Sequence, residues 1–183
     1  MAYSGKVIEN KIVGQQLKFL RVAKETQGEF LEIEMSYSGK SIPPIPHYHP
    51  NQEEWFTVLE GELTVRIDGE IRKLKAGEKI YIPKNKVHSM WSEGASKTSV
   101  NWIVKPALKT EYFFETAYGL AKAGKVNTMG IPSVFQSALL AMEYSDEFRV
   151  ATIPRSLQKI IFPVLGFLGR IKGLKGKYAE FMN

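Results

Sequence analysis

Between residues 6 and about 105 the apolar positions come in short runs that alternate with polar ones. Leu63, Val65 and Ile67 alternate with Thr64 and Arg66, the period of two that a half-buried strand requires. Phe19–Ala23 and Phe30–Met35 are β-type runs separated by Gln27-Gly28. Trp55–Leu59 and Leu63–Ile67 flank Glu60-Gly61, which reads as a hairpin, and Asp68-Gly69 predicts a type I′ turn into Ile71–Leu74. Ala76-Gly77 turns into Ile80–Ile82, which Pro83 ends, and Ser99–Val104 is a last strand before Pro106. Many short strands with turns this close together predict a sandwich or barrel.

After Pro106 the period lengthens to that of a helix. Thr110 can cap a helix from Glu111 to about Ala123, with Gly124 as its stop. Pro132 opens a second helical stretch over Ser133–Glu143. A third covers Ser156 to about Ile171, kinked or restarted at Pro163. Residues 1–106 therefore form a β unit, and residues 107–183 a helical extension packed on it or on a partner subunit. In the third helix Leu157, Ile160, Ile161, Val164, Leu165 and Leu168 recur at spacings of three and four. That face is expected to pack on the protein, with the lysines at the solvent edge. Lying on an anionic membrane surface is the alternative use of the same face.

Charge sharpens that alternative. The net +6 is concentrated in residues 151–183, where Arg155, Lys159, Arg170, Lys172, Lys175 and Lys177 face Glu180 alone, a local +5. Nucleic acid is not expected as a partner, because the apolar run would be exposed and no helix-turn-helix pair is evident. Cysteine is absent, which excludes disulfides, thiolate metal sites and cysteine nucleophiles. Residues 1–14 lack the apolar centre of a signal peptide, and no apolar run approaches the ~20 residues of a bilayer span. The chain reads as cytoplasmic.

All three histidines fall in one pattern. His47 and His49 lie one residue apart, which puts them on one face of a strand. Glu54 and His88 can converge on them from neighbouring strands. Three imidazoles and a carboxylate are a ligand set for a divalent transition metal and leave positions open for water or substrate. The competing reading is a polar interior that holds no metal. With every histidine in this group, no serine triad can be assembled.

The stretch Gly39–Ser92 resembles the two-part signature of the cupin superfamily. Gly39, His47, His49, Glu54 and Gly61 match its first motif, with Gly39 two residues further from His47 than usual. Gly77, Pro83 and His88 match its second, where Asn85 stands for a glycine and Ser92 for an asparagine. Asn tolerates positive φ better than most residues. The resemblance implies a mainly β, double-stranded β-barrel (jelly roll) with C-terminal α-helices. It implies one divalent metal ion (Fe, Mn, Ni, Co, Zn or Cu) on His47, His49, Glu54 and His88, and a small-molecule pocket inside the barrel. The chemistry open to it is that of a metal-dependent dioxygenase, isomerase or cyclase, with a non-catalytic binding or sensing protein as the rival. No catalytic residue is singled out beyond the metal set.

Four further residues are candidates for the pocket. Gln52 shares the strand parity of Glu54, so it either faces the pocket or hydrogen-bonds the loop. Tyr81, Met90 and Trp102 are candidate wall residues, with core packing as the simpler use of such side chains. A homodimer is expected from edge strands that need covering.

Overall fold

A computed structural model describes residues 1–182. Eleven strands form two antiparallel sheets among them. Six strands make the first sheet: β1 (Val7–Asn10), β2 (Gln15–Arg21), β3 (Leu31–Tyr37), β10 (Thr98–Lys105), β5 (Glu53–Glu60) and β8 (Lys79–Ile82), in that spatial order. The second runs β11 (Arg149–Val150), β4 (His47–Tyr48), β9 (His88–Trp91), β6 (Glu62–Ile67) and β7 (Glu70–Lys75). The sheets do not hydrogen-bond into a closed barrel; they face each other as a jelly-roll sandwich. A cleft of about 360 Å³ lined by Ile67, Arg72, Ile80 and Tyr81 lies between the free edges of β7 and β8.

Alternation builds the interior. In β3, Leu31, Ile33, Met35 and Tyr37 are buried and the residues between them are half-exposed. They meet Phe56, Val58, Val100, Trp102 and Val104 of the same sheet and Leu63, Val65 and Met90 of the other in one hydrophobic core. The outward residues pair across strands: Asn101 donates to Glu32 at 2.9 Å and Ser99 to Glu34 at 3.3 Å.

The Asp68-Gly69 turn is as expected, with φ of 49° and 94°, and it joins β6 to β7. Gly61 does not make a hairpin. β5 and β6 belong to different sheets, so the chain turns a corner there. Its φ is 76°, and a Cβ would lie 2.6 Å from the Lys97 carbonyl oxygen, so only glycine passes. Gly77 marks a second crossing, from β7 back to β8.

Three helices follow: α1 (Thr110–Lys122), α2 (Val134–Glu143) and α3 (Arg155–Ile171). Thr110 is not the cap of α1. That position belongs to Lys109, without a side-chain cap, while the Thr110 hydroxyl accepts from Gln52. Ser133 does cap α2, accepting from the Gln136 N–H. α3 runs unbroken through Pro163. It packs on α2 through a different face from the one its apolar spacing predicts. Gly166 and Gly169 lie against Leu139, Met142 and Phe135, closely enough that a Cβ would fall 2.9–3.0 Å from the nearest side-chain atom. Ile161 and Leu165 are half-buried, but Leu157, Ile160, Val164 and Leu168 stay exposed. The reason is steric: two glycines a turn apart let the helix axes approach, and the branched side chains on the other side cannot.

Candidate functional site

The histidines gather on the inner face of the smaller sheet. His47 of β4 is the direct cross-strand partner of His88 in β9, and His49 follows two residues on. Ring centroids are 4.5 Å apart for His47–His88, 5.2 Å for His47–His49 and 5.1 Å for His49–His88. One nitrogen from each lies within 4.8 Å of the others, close enough to hold a metal ion. Glu54 does not come from a neighbouring strand. It sits in β5 of the opposite sheet and reaches across the interior, because its parity matches the inward Phe56 and Val58. One carboxylate oxygen, Oε2, is 3.2 Å from His49 Nε2 and 3.0 Å from His88 Nε2.

Three main-chain carbonyls fix the rings. Nδ1 of His47 lies 2.9 Å from the Ile45 oxygen, Nδ1 of His88 2.9 Å from that of Lys86, and Nδ1 of His49 2.7 Å from that of Glu147. A carbonyl only accepts, so each Nδ1 carries the proton. In the neutral ring each Nε2 is then a lone pair. This is the orientation in which imidazoles serve as metal ligands with a hydrogen-bonded back side.

That arrangement leaves a conflict which a cation resolves. The Nε2 atom of His49 is buried without a hydrogen-bond partner, and it faces Oε2 of Glu54. Two lone pairs 3.2 Å apart in a low-dielectric interior repel unless a proton or a metal ion lies between them. The titration behaviour of the metal-free site agrees. Burial, aided by the charges of His88 and His49, pushes His47 down to about 3. Burial works to raise Glu54, but the charge of His49, the hydrogen bond from His88 and the charges of His88 and His47 overcome it and bring the carboxyl down to about 2. His88 moves up: burial opposes its charge, and the hydrogen bond and charge of Glu54 outweigh that. Without metal, a proton held between His88 and Glu54 does part of the cation's work.

The other candidates divide. Gln52 is buried and turns away from the imidazoles, aiming Nε2 at the carbonyls of Pro106 (2.7 Å) and Ala107 (3.1 Å) and at Thr110 Oγ1 (2.8 Å). It holds the β10–α1 connection. Met90 is in the core, on the same strand as His88. Trp102 stacks on Phe56 at 5.7 Å and meets Phe114 of α1 edge-on at 5.4 Å, leaving a buried Nε1 without a partner. Tyr81 is 46% exposed and lies against Trp55 on the outer face. Asn85 adopts φ of 63° and its N–H donates to the His49 carbonyl, so the residue that replaces a glycine keeps the turn.

The chain's sequence pattern did not point to Glu147. Its carbonyl orients His49, its Oε1 accepts from the Lys109 N–H at 2.9 Å, and β11, just after it, pairs Val150 with His47. A main-chain contact leaves no side-chain signature. The buried, partly unsatisfied carboxylate is visible only in the fold.

Residues 33–104 match the family model for the Cupin domain, a span that holds all three histidines and Glu54. The chain is 32% identical over 106 residues to the quercetin 2,3-dioxygenase of Bacillus subtilis, covering 57% of this chain and 31% of that protein. It is 46% identical over 78 residues to an uncharacterized protein of Aquifex aeolicus, covering 37% of this chain and 64% of the other. The chain therefore spans less than two thirds of either relative. An RmlC-like cupin from Shewanella frigidimarina superposes with a TM-score of 0.50 at 19% identity, over 58% of this chain and 88% of that one, a likeness of fold.

Proposed function

From the premise that this chain belongs to the cupin superfamily, we propose that it is a metal-dependent cupin that binds a small oxygen-bearing molecule inside the sandwich, and that its reaction is a dioxygenation. The observation that carries the reading is the tautomer lock: three imidazoles are each held at Nδ1 by a carbonyl, one nitrogen of each lies within 4.8 Å of the others, and the Nε2 atoms of His49 and His88 lie beside one carboxylate oxygen of Glu54. His47, His49, Glu54 and His88 are the proposed ligands. The proposed ion is one of Fe, Mn, Ni, Co, Zn or Cu, all suited to imidazole and carboxylate. When bound, such an ion supplies Lewis acidity and, where it is redox-active, a path for electrons to O₂.

The protein's own groups have separate tasks in this reading. The carbonyls of Ile45, Lys86 and Glu147 hold the rings in register. Glu54, with its carboxyl held far below the usual range, is an anion at neutral pH and would bring a negative charge to the bound cation. Trp102, Phe56 and Met90 keep the surroundings apolar, which strengthens each electrostatic contact. The identity with a quercetin 2,3-dioxygenase supports oxygenation over isomerisation. The proposed assembly is a homodimer through a free sheet edge such as β1, where Val7 is exposed and Tyr3, just before the strand, is exposed too; light scattering at micromolar concentration tests it.

Elemental analysis of the purified chain should show about one metal per chain, lost in His49→Ala. A wild type that stays empty when Fe, Mn, Ni, Co, Zn and Cu are each supplied rules out the metal reading. With metal bound, O₂ uptake on quercetin and simpler flavonols tests the reaction. Metal binding without uptake on any of these rules out the dioxygenase assignment for this class.

A further inference from the structure

One side of α3 is engaged with α2 and the opposite side is not. Leu157, Ile160, Val164, Phe167, Leu168 and Ile171 are each 41–68% exposed. Their spacing of three and four residues joins them into one stripe along a 17-residue helix. Single exposed apolar residues are ordinary on a protein surface; six in one continuous stripe mark an interaction face.

The charge around the stripe identifies its occupant. From residue 148 to 179 the chain has no acidic residue. Arg155 opens the helix, Lys159 and Arg170 run along one margin of the stripe, and Lys172, Lys175 and Lys177 follow its end. Among the described residues none of these six is ion-paired to a carboxylate within 4.0 Å. A second copy of the chain would set cation against cation with no acid between them. A bilayer surface with anionic headgroups supplies both an acyl boundary for the stripe and negative charge for its border. No helix among the described residues is long and apolar enough to cross a membrane.

We propose that α3 docks the protein on anionic lipid membranes, lying in the plane of the interface. The helix is also clamped to the candidate metal site. Gln158 is buried and its Nε2 lies 2.9 Å from the Val150 carbonyl and 2.7 Å from that of Ile153, while Val150 pairs with His47. Docking would therefore set the orientation of the histidine-bearing sheet relative to the membrane.

Sedimentation of the full chain with vesicles tests this. Binding to phosphatidylglycerol–phosphatidylcholine vesicles is expected at low salt, weaker at high salt, and absent from pure phosphatidylcholine. Ile160→Glu with Phe167→Glu should reduce partitioning at least tenfold. Lys159→Glu with Arg170→Glu should reduce it about fivefold per cation. Both pairs are at exposed positions, and an unchanged melting temperature confirms that each variant is folded. Failure of the full chain to sediment with anionic vesicles overturns the proposal, and so does equal binding to neutral ones. A solution dimer that Ile160→Glu with Phe167→Glu dissociates also overturns it, in favour of a second copy.

Discussion

At the scale of single residues, protons and the proposed cation would compete for the same lone pairs. Burial opposes the charge of His88 but Glu54 outweighs it, so in the metal-free protein the ring keeps its proton to higher pH than a free histidine. A metal must displace that proton, and its apparent affinity should fall as pH drops into the range where the proton is held. Calorimetry in two buffers of different ionisation heat would register the released proton; an affinity flat from pH 8 to 5.5 contradicts the displacement. His47 gives a stability prediction of defined sign. Its ring is neutral in the folded protein down to about 3, whereas the unfolded chain protonates it near 6.5. The unfolded state thus binds more protons in that window, and this residue's part of the stability declines as pH falls through it. His47→Gln should make the metal-free protein less acid-sensitive between about pH 6.5 and 3, read from melting temperature against pH.

At the scale of elements, close approach decides more than hydrophobicity. Gly169 faces Leu139 Cδ1, where a Cβ would sit at 3.0 Å, and the Phe135 carbonyl oxygen at 3.3 Å. Valine there improves helix propensity by a few tenths of a kcal/mol but over-packs the α2–α3 seam by ~1–3 kcal/mol. Over-packing wins, so Gly169→Val should lower the thermal midpoint by several degrees. Gln52 is the corresponding polar fastener. Replacing it with alanine strands the carbonyls of Pro106 and Ala107, at a cost of ~1–3 kcal/mol, seen as a lower denaturation midpoint. The strands themselves were legible from the period of two. Their grouping was not, because Glu60-Gly61 has the composition of a hairpin turn, and its use as a corner between sheets depends on Lys97 passing behind it.

At the scale of the whole molecule, the C-terminal segment belongs to the site as much as the sandwich does. Glu147 is 98 residues from His49 and yet sets its ring through a carbonyl. Glu147→Ala keeps that carbonyl but frees the Lys109 N–H and loosens the segment. Metal affinity should drop ~10–100-fold, the usual effect of losing a ligand's outer support, with the ligand count unchanged by elemental analysis at saturating metal. The sequence alone determined what is local: the alternation that makes strands, the type I′ turn at Asp68-Gly69, the shared face of His47 and His49, and the positive φ of Asn85. These follow from sterics within a few residues. Only the tertiary structure decided that Glu54 crosses from the opposite sheet, that Gln52 serves a loop instead of the site, and that α3 docks by its glycines with its apolar stripe outward. Each of those depends on which surfaces approach most closely once the chain has folded, and distance between remote segments is not encoded in any local period.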